Sequence, residues 1–320
     1  MARHAIIHRL EYLTLSAANA VFRTLPHAAA LKLGAGLGSV AFSVIRVRRA
    51  VLESNAAAAL GYDLGGEELR RLGGGCYRNL GMTLAELARM PRLGEVGFQR
   101  LVSVEGIEHL DRALAQGKGA VLATGHFGNW ELMGAAIAQR GYPMNFLVGH
   151  QSNRLVDDML NSMRSSFGIG VVRHGAHVRE VLRLLRRNQF VAMLCDHDAG
   201  RKGLMVSFFG MPASAALGPA IFAIRSGAPL MMGFITRDDG GRHRVELTPP
   251  IPIQRDCDPA EAVAEATQRM ASIVEDYIRR RPDHWYWVHR RWKTTSARGA
   301  EAILRRPLSP VEASASRLSR

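Results

Sequence analysis

His126 and Glu131 bracket the string HFGNWE, residues 126–131, and no Ser or Cys stands between them. A histidine oriented by a carboxylate is the general-base half of a catalytic triad. With no nucleophilic side chain in the stretch, the hydroxyl it activates belongs to a substrate. A continuous helix would put the two side chains on different sides, so a tight turn has to bring them together. If Asn129 caps the helix that follows, Glu131 falls in its first turn, where a carboxylate is favoured, and it can accept from one ring nitrogen of His126. The competing reading packs His126 against Trp130 as a core histidine and leaves Glu131 solvated.

The elements that must position this pair follow from the flanking residues. Residues 119–124 are a short apolar run bounded by glycine, residues 125–129 form a turn, and helical spacing resumes to residue 134. The order is strand, turn, helix. The polar residues therefore sit at the carboxyl end of a strand, where ligand chemistry gathers in open α/β sheets.

The charge of the chain is unevenly placed. Of its 320 residues 42 are Lys or Arg and 28 Asp or Glu, a formal net charge of +14. Residues 1–60 carry +5 and residues 279–320 carry +8, so the long middle is close to neutral. A neutral body with basic ends suits contact with an anionic membrane, each surface Lys or Arg contributing about 1 kcal/mol. Nucleic acid is the rival partner of any basic protein, but no helix-turn-helix, zinc-finger or RNA-recognition signature is present. Cys76, Cys195 and Cys257 are odd in number and unpaired in spacing, which points to a reduced cytoplasmic setting. Asp196, His197 and Asp198 could be read as metal ligands, but no further ligand spacing supports this and no metal is expected.

Taken in order, residues 1–50 read as two helices joined near 24–26, lying in or against a membrane interface with Arg46, Arg48 and Arg49 at the headgroups. Their uncharged runs fall short of the ~20 residues of a spanning helix. Residues 67–90 repeat apolar side chains at threes and fours, although three consecutive glycines, each costing about 1 kcal/mol in a helix, argue against an unbroken one. Strands are expected at 101–105, 144–148, 190–195, 229–235 and 244–247, the last antiparallel across a turn at 238–241. Helices are expected at 107–115, 153–167, 178–187 and 261–281. Such alternation predicts a mostly parallel central sheet covered by helices. Near the end, PDHWYWVHRRWK places three of the four tryptophans beside Arg290, Arg291 and Lys293. This is either a membrane-interface segment or a strand that closes the core.

The full string HFGNWE resembles the acyltransferase motif of the lysophospholipid acyltransferase superfamily, in particular its late lipid A acyltransferase branch. Four more segments resemble the same family. In NRLVDDMLNSMRSSFG, Arg164 falls on a functional arginine. In LCDHDAG, Asp196 falls on the aspartate that begins a loop and would bind acceptor hydroxyls, while His197 stands where glutamine is usual. VSFFGMPASAALGPAIFAIRSGAP resembles the segment of aromatic pair, glycine, small residues and helix. Its Phe208, Phe209 and Gly210 would line an acyl tunnel, and Ser214 would begin a phosphate-binding helix start. HWYWVHRRWK resembles the carboxyl-terminal motif.

The resemblance implies a glycerol-phosphate acyltransferase-like α/β fold with an N-terminal membrane-associated helical hairpin. The expected divisions are interface helices at 1–50, the catalytic domain at 51–295 and a disordered tail at 296–320. The implied reaction moves a fatty acyl chain from acyl carrier protein or acyl-CoA to a hydroxyl of a lipid A precursor, at the cytoplasmic side of the inner membrane, with no bound cofactor. His126 would act as base and Glu131 as its orienting acid, with the amides near Gly128 and Asn129, and Arg164, at the oxyanion. The alternatives are a phosphatidylinositol-mannoside-type or ornithine-lipid-type acceptor, a thioesterase, and a non-catalytic membrane-binding protein.

Overall fold

The computed structural model describes residues 2–173, 177–254 and 256–296. Two helices, α1 (Ala2–Thr24) and α2 (His27–Val40), come first, separated at Pro26, which cannot continue a helix from within. A single π-turn, Ala41–Ile45, then leads to α3 (Arg49–Leu60) and α4 (Glu67–Arg89). The helix α5 (Glu95–Leu101) precedes β1 (Val102–Glu105), and α6 (Ile107–Ala115) precedes β2 (Ala120–Thr124). From there strands and helices alternate: α7 (Trp130–Ala138), β3 (Met144–Val148), α8 (Arg154–Ser166), β4 (Gly170–Arg173), α9 (His177–Arg186) and β5 (Phe190–Leu194). A hairpin of β6 (Leu204–Phe208) and β7 (Met211–Ala215) is followed by α10 (Gly218–Ser226), β8 (Leu230–Arg237), β9 (His243–Leu247), α11 (Pro259–Arg280) and a last turn of helix, α12 (Lys293–Ser296).

Seven strands form one sheet in the order β1-β9-β8-β2-β5-β3-β4. β8, β2, β5, β3 and β4 run parallel, while β9 returns antiparallel to β8 and carries β1 alongside it. The apolar runs of β2 and β5 follow from this placement, since central parallel strands are covered on both faces. All five β2 residues are buried. Alternate residues enter two cores: Val121 and Ala123 pack on one face with Val191 and Met193, and Ala120 and Leu122 pack on the other with Phe190. The expected strands and helices are present to within a few residues. β4 and the β6–β7 hairpin are additional, and the tail beyond Ser296 lies outside the described residues.

The glycines of α4 do not break it. A Cβ on Gly34 of α2 would lie 2.5 Å from the Gly81 carbonyl oxygen of α4, and one on Gly38 would land on the Tyr77 carbonyl oxygen. A Cβ on Gly73 would meet the Phe42 ring at 2.5 Å. Close backbone packing of α2 on α4 thus offsets a propensity cost of about 1 kcal/mol per glycine. The other side of α2 is open: Leu33, Leu37 and Val40 are exposed, as are Val44, Ile45 and Val47 just beyond it. His27–Ile45 is a stretch of 19 residues with mean hydropathy 1.6, long and apolar enough to cross a membrane. Arg46 and Arg48 are exposed, with φ of 58° and 50°, whereas Arg49 turns inward to Glu53 at 2.8 Å and lies over the Phe42 ring.

The aromatic segment near the end folds back on the body. Trp285 and Trp287 are buried, and so is Trp292. The membrane-interface reading of these tryptophans is therefore corrected: they close the core over β6 and α11 in contact with Phe208 and Phe209. Even Arg291 is buried, donating to the Ser214 carbonyl oxygen at 2.6 Å.

Candidate active site

Two adjacent strands build the centre. β2 and β5 are in register with Thr124 opposite Leu194, so residues two positions past each strand end stand at the same level. These are His126 and Asp196. His126 Nδ1 lies 2.8 Å from Asp196 Oδ1, and Asp196 Oδ2 accepts from the His126 amide at 2.7 Å and from Trp285 Nε1 at 2.8 Å. Burial alone would push the Asp196 carboxyl up. The charge and hydrogen bonds of His126, with that of Trp285, instead hold it well below the usual carboxylate range. An ionised Asp196 accepts from Nδ1–H, which fixes the tautomer with the proton on Nδ1 and leaves Nε2 free to act as a base.

Glu131 is elsewhere. Asn129 caps α7, its side-chain oxygen accepting from the Leu132 amide at 3.0 Å, which places Glu131 in the first helical turn, aimed at α8. There Arg164 grips it with two donors, Nε to Oε2 at 3.0 Å and Nη2 to Oε1, while Nη1 donates to Asn161 at 2.9 Å. The expected His126–Glu131 hydrogen bond is therefore corrected to two separate pairs, His126–Asp196 and Glu131–Arg164. The physical reason is the cap: once Asn129 starts the helix, Glu131 is carried away from the turn that holds His126.

The turn itself is held from the carboxyl-terminal segment. Tyr286 donates its amide to the His126 carbonyl at 3.0 Å, and Gly128 donates to the His284 carbonyl at 2.8 Å. Gly128 has φ 57°, and a Cβ there would land on the Ile235 carbonyl oxygen, so the turn requires glycine. The Gly128 amide is thus consumed, and Asn129 is fully buried with its side chain donating to Glu86 at 2.8 Å. Gly128 therefore presents no oxyanion donor, and the Asn129 side chain is spent on the cap and on Glu86.

Two further expectations change. Phe209 and Gly210 are the two-residue turn of the β6–β7 hairpin, with φ 54° and 71°, the pair of positive values that a type I′ turn requires. Phe208 packs between Trp285 and Trp292. Phe208 and Phe209 close the core, Gly210 is exposed at the turn, and none of the three lines the large apolar cavity beside His126. Ser214 is buried within β7, its hydroxyl donating to the Gly200 carbonyl at 2.7 Å, and the helix start expected there comes later, at Gly218.

The apolar space is instead a cavity of about 760 Å³ along the carboxyl edge of the sheet, within the size range of ligand pockets. His126, Trp130, Glu131, Arg164 and His197 line its polar part, and Met133, Ile137, Phe146 and Phe222 are among the residues that line the remainder. The His126 side chain is 16 % exposed and that of Asp196 2 %, so the base reaches the space while its partner is sealed. The Trp130 ring meets the imidazole edge-on at 5.0 Å, and His289 lies 4.6 Å from it between ring centroids. Burial, and then the neighbouring His126, push the His289 imidazole down to about 4.

Beneath the turn lies a polar network that sequence reasoning missed. Glu86 of α4 accepts from Arg237 at 2.8 and 2.7 Å, sits 2.8 Å from His243 Nε2, and holds the Asn129 cap. Arg237 also reaches Asn79 and Thr83, and its amide is 3.1 Å from His284 Nε2. Burial would raise the Glu86 carboxyl; Arg237 and His243 hold it well below the usual range. No local spacing announces these residues, since Glu86 and Arg237 are 151 positions apart. Among the described residues no group of three or more His, Cys, Asp or Glu side chains is arranged to hold a metal ion.

Comparison with known proteins supplies the family. The chain is 30% identical over 226 residues to a phosphatidylinositol mannoside acyltransferase of Mycobacterium tuberculosis (strain CDC 1551 / Oshkosh), covering 69% of this chain and 70% of that protein. It is 25% identical over 273 residues to a lipid A biosynthesis palmitoleoyltransferase of Escherichia coli (strain K12), and 27% over 275 residues to a lipid A biosynthesis lauroyltransferase of the same organism, each covering 84% of this chain and 87% of the relative. The model of the family described as bacterial lipid A biosynthesis acyltransferase matches residues 5–294. With nearly the whole chain matched, and a histidine–aspartate pair opening on an apolar cavity, the protein belongs to the bacterial lipid A biosynthesis acyltransferase family and is an acyltransferase.

Proposed function

We propose that the protein transfers a fatty acyl chain from a thioester donor, acyl carrier protein or acyl-CoA, to a hydroxyl of a lipid A precursor or related glycolipid, at the cytoplasmic side of the inner membrane. The observation that carries this reading is the His126–Asp196 pair at the polar part of an apolar cavity. The acyl chain occupies the cavity, gaining about 0.8 kcal/mol per buried CH₂. His126 Nε2 takes the proton of the acceptor hydroxyl as its oxygen attacks the thioester carbonyl. Asp196 stabilises the imidazolium, the C–S bond breaks, and the thiolate leaves with the proton returned from His126. No covalent acyl-enzyme is needed. The α7 N-terminus begins at Trp130, against the imidazole, and its partial positive charge favours the developing oxyanion. The Glu131–Arg164 pair fixes the polar wall against which the acceptor lies. The exposed apolar faces of α1 and α2 seat the protein on the membrane.

A phosphatidylinositol-mannoside-type acceptor is the second reading, favoured by the 30% identity to an enzyme of that name. Purified protein with acyl carrier protein or acyl-CoA loaded with fatty acid, and each acceptor in turn, tests the proposal. Transfer that His126→Ala abolishes supports it. Release of free fatty acid at the same rate with and without acceptor would identify a thioesterase instead.

A further inference from the structure

A hollow of about 390 Å³ opens between the end of α4, α5, the start of α2 and the β8–β9 hairpin, and it shares no lining residue with the acyl cavity. Arg89, Arg92, Arg100 and Arg242 line it. Its one acidic lining residue, Glu86, is already committed to Arg237, His243 and Asn129. Arg89 donates to the carbonyls of Phe22 and Leu25, and Arg92 to that of Arg23, contacts that bring no negative charge. Among the described residues, the Arg100 and Arg242 guanidinium groups make no hydrogen bond or ion pair. His27, the first residue of α2, also lines the hollow, and its Nε2 is buried with no partner.

A second hollow of about 690 Å³ shares Arg100, Leu101 and Arg242 with the first. There Arg244 and Arg280 are matched by Glu105 and Glu246, and Arg281 by Asp283, while Asp238 accepts from the Arg242 amide. The uncompensated charge is therefore concentrated on the shared wall. Arginines lining one hollow repel, and burial, followed by the neighbouring Arg92, lowers the Arg89 pKa. An anion would relieve all four.

We infer that this hollow binds the phosphate of a lipid headgroup. Guanidinium forks fit phosphate oxygens, and a helix beginning at the site favours negative charge. A lipid fits better than an acidic carrier protein for two reasons. The site is concave with Leu93, Leu101 and Leu132 in its lining. It also lies at the start of the exposed apolar stretch His27–Ile45, so a bilayer on that face brings headgroups to it. The inference rests on the membrane-facing reading above, but not on the chemistry at His126.

Full-length protein is floated with phosphatidylcholine vesicles with and without added phosphatidate. Wild type, and a control variant R70Q/R225Q with the same loss of charge, should prefer phosphatidate vesicles by roughly tenfold. R100Q/R242Q should lose that preference while keeping its melting temperature. R242Q alone, expected to lose about two-thirds of the preference on a logarithmic scale, serves if the double variant does not fold. Retention of the preference in both Arg242 variants, or an equal loss in the control, would overturn the inference. So would a preference that survives while binding to acyl carrier protein is lost. Stabilisation by inorganic phosphate that R100Q/R242Q abolishes, without any vesicle preference, would assign the hollow to free phosphate and overturn the lipid. Acyl transfer, measured separately, reports on the catalytic reading whatever the vesicles show.

Discussion

His126 Nδ1 stands 2.8 Å from Asp196 Oδ1, seventy residues along the chain, while Glu131, five residues away in sequence, is held by Arg164. The base and its orienting acid thus come from the ends of neighbouring strands. A short motif supplies only half of the pair.

The Glu131–Arg164 pair is nearly buried, with side chains 8 % and 11 % exposed. Removing one partner of such a pair strands the other charge, at a cost of about 3–5 kcal/mol in a fully buried case. Glu131→Ala and Arg164→Ala should each destabilise the fold, and the double variant should be less damaged than the sum of the two. Urea unfolding of the three variants measures this; strict additivity would mean that the two side chains do not interact.

The Glu86 network gives a second case. Glu86→Ala removes the acceptor of Arg237, His243 and the Asn129 cap together. A loss of about 3–5 kcal/mol in unfolding free energy is expected. A loss below about 1 kcal/mol, the scale of an exposed pair, would contradict the packing described.

The α2–α4 contact makes an internally controlled prediction. Gly36→Ala meets nothing within 4 Å and should stabilise α2 by up to about 1 kcal/mol. Gly38→Ala drives a methyl group onto the Tyr77 carbonyl oxygen and should lower Tm despite the same gain in propensity. Equal effects of the two substitutions would contradict the close approach of these helices.

Acid stability follows from the buried imidazoles. Burial pushes His289 down to about 4 and also lowers His284, although Asp283 pulls the latter up. The unfolded chain takes up protons near the ordinary histidine value of about 6.5, whereas folded His289 resists until about 4. Stability is therefore full above about pH 6.5 and declines as pH falls from there toward 4. The depressed carboxylates Asp196, Glu86 and Asp283 act lower, losing their contribution below the ordinary carboxylate range. Melting of wild type and His289→Gln at pH 7 and pH 5 separates these effects: the variant should lose less Tm over that interval. An equal loss would remove His289 from the account.

The order of elements was legible because apolar runs bounded by glycine, and helical spacing of three and four, are local signals. His126 was legible for the same reason, as was Asp196 as a loop aspartate. Their pairing was not, because it depends on β5 lying beside β2 in one particular register. The Phe209-Gly210 turn was misread because aromatic residues suggest a pocket, whereas two successive positive φ values dictate a hairpin. The glycines of α4 misled in the same way, since what Gly73 and Gly81 pack against, Phe42 of the π-turn and Gly34 of α2, lies in another part of the chain. Glu86 left no trace in the sequence, as its partners come from β8, β9 and the α7 cap.

The most direct test of the central claim is the turnover of Asp196→Asn in acyl transfer from thioester to lipid hydroxyl. An amide cannot hold the Nδ1–H tautomer or stabilise the imidazolium, and the corresponding change in a serine protease triad lowers kcat about 10⁴-fold. The account predicts a fall in kcat of at least about 10²-fold with KM little changed, approaching the loss in His126→Ala. Wild-type turnover by Asp196→Asn, with Glu131→Gln inactive, would contradict it and return the orienting role to Glu131.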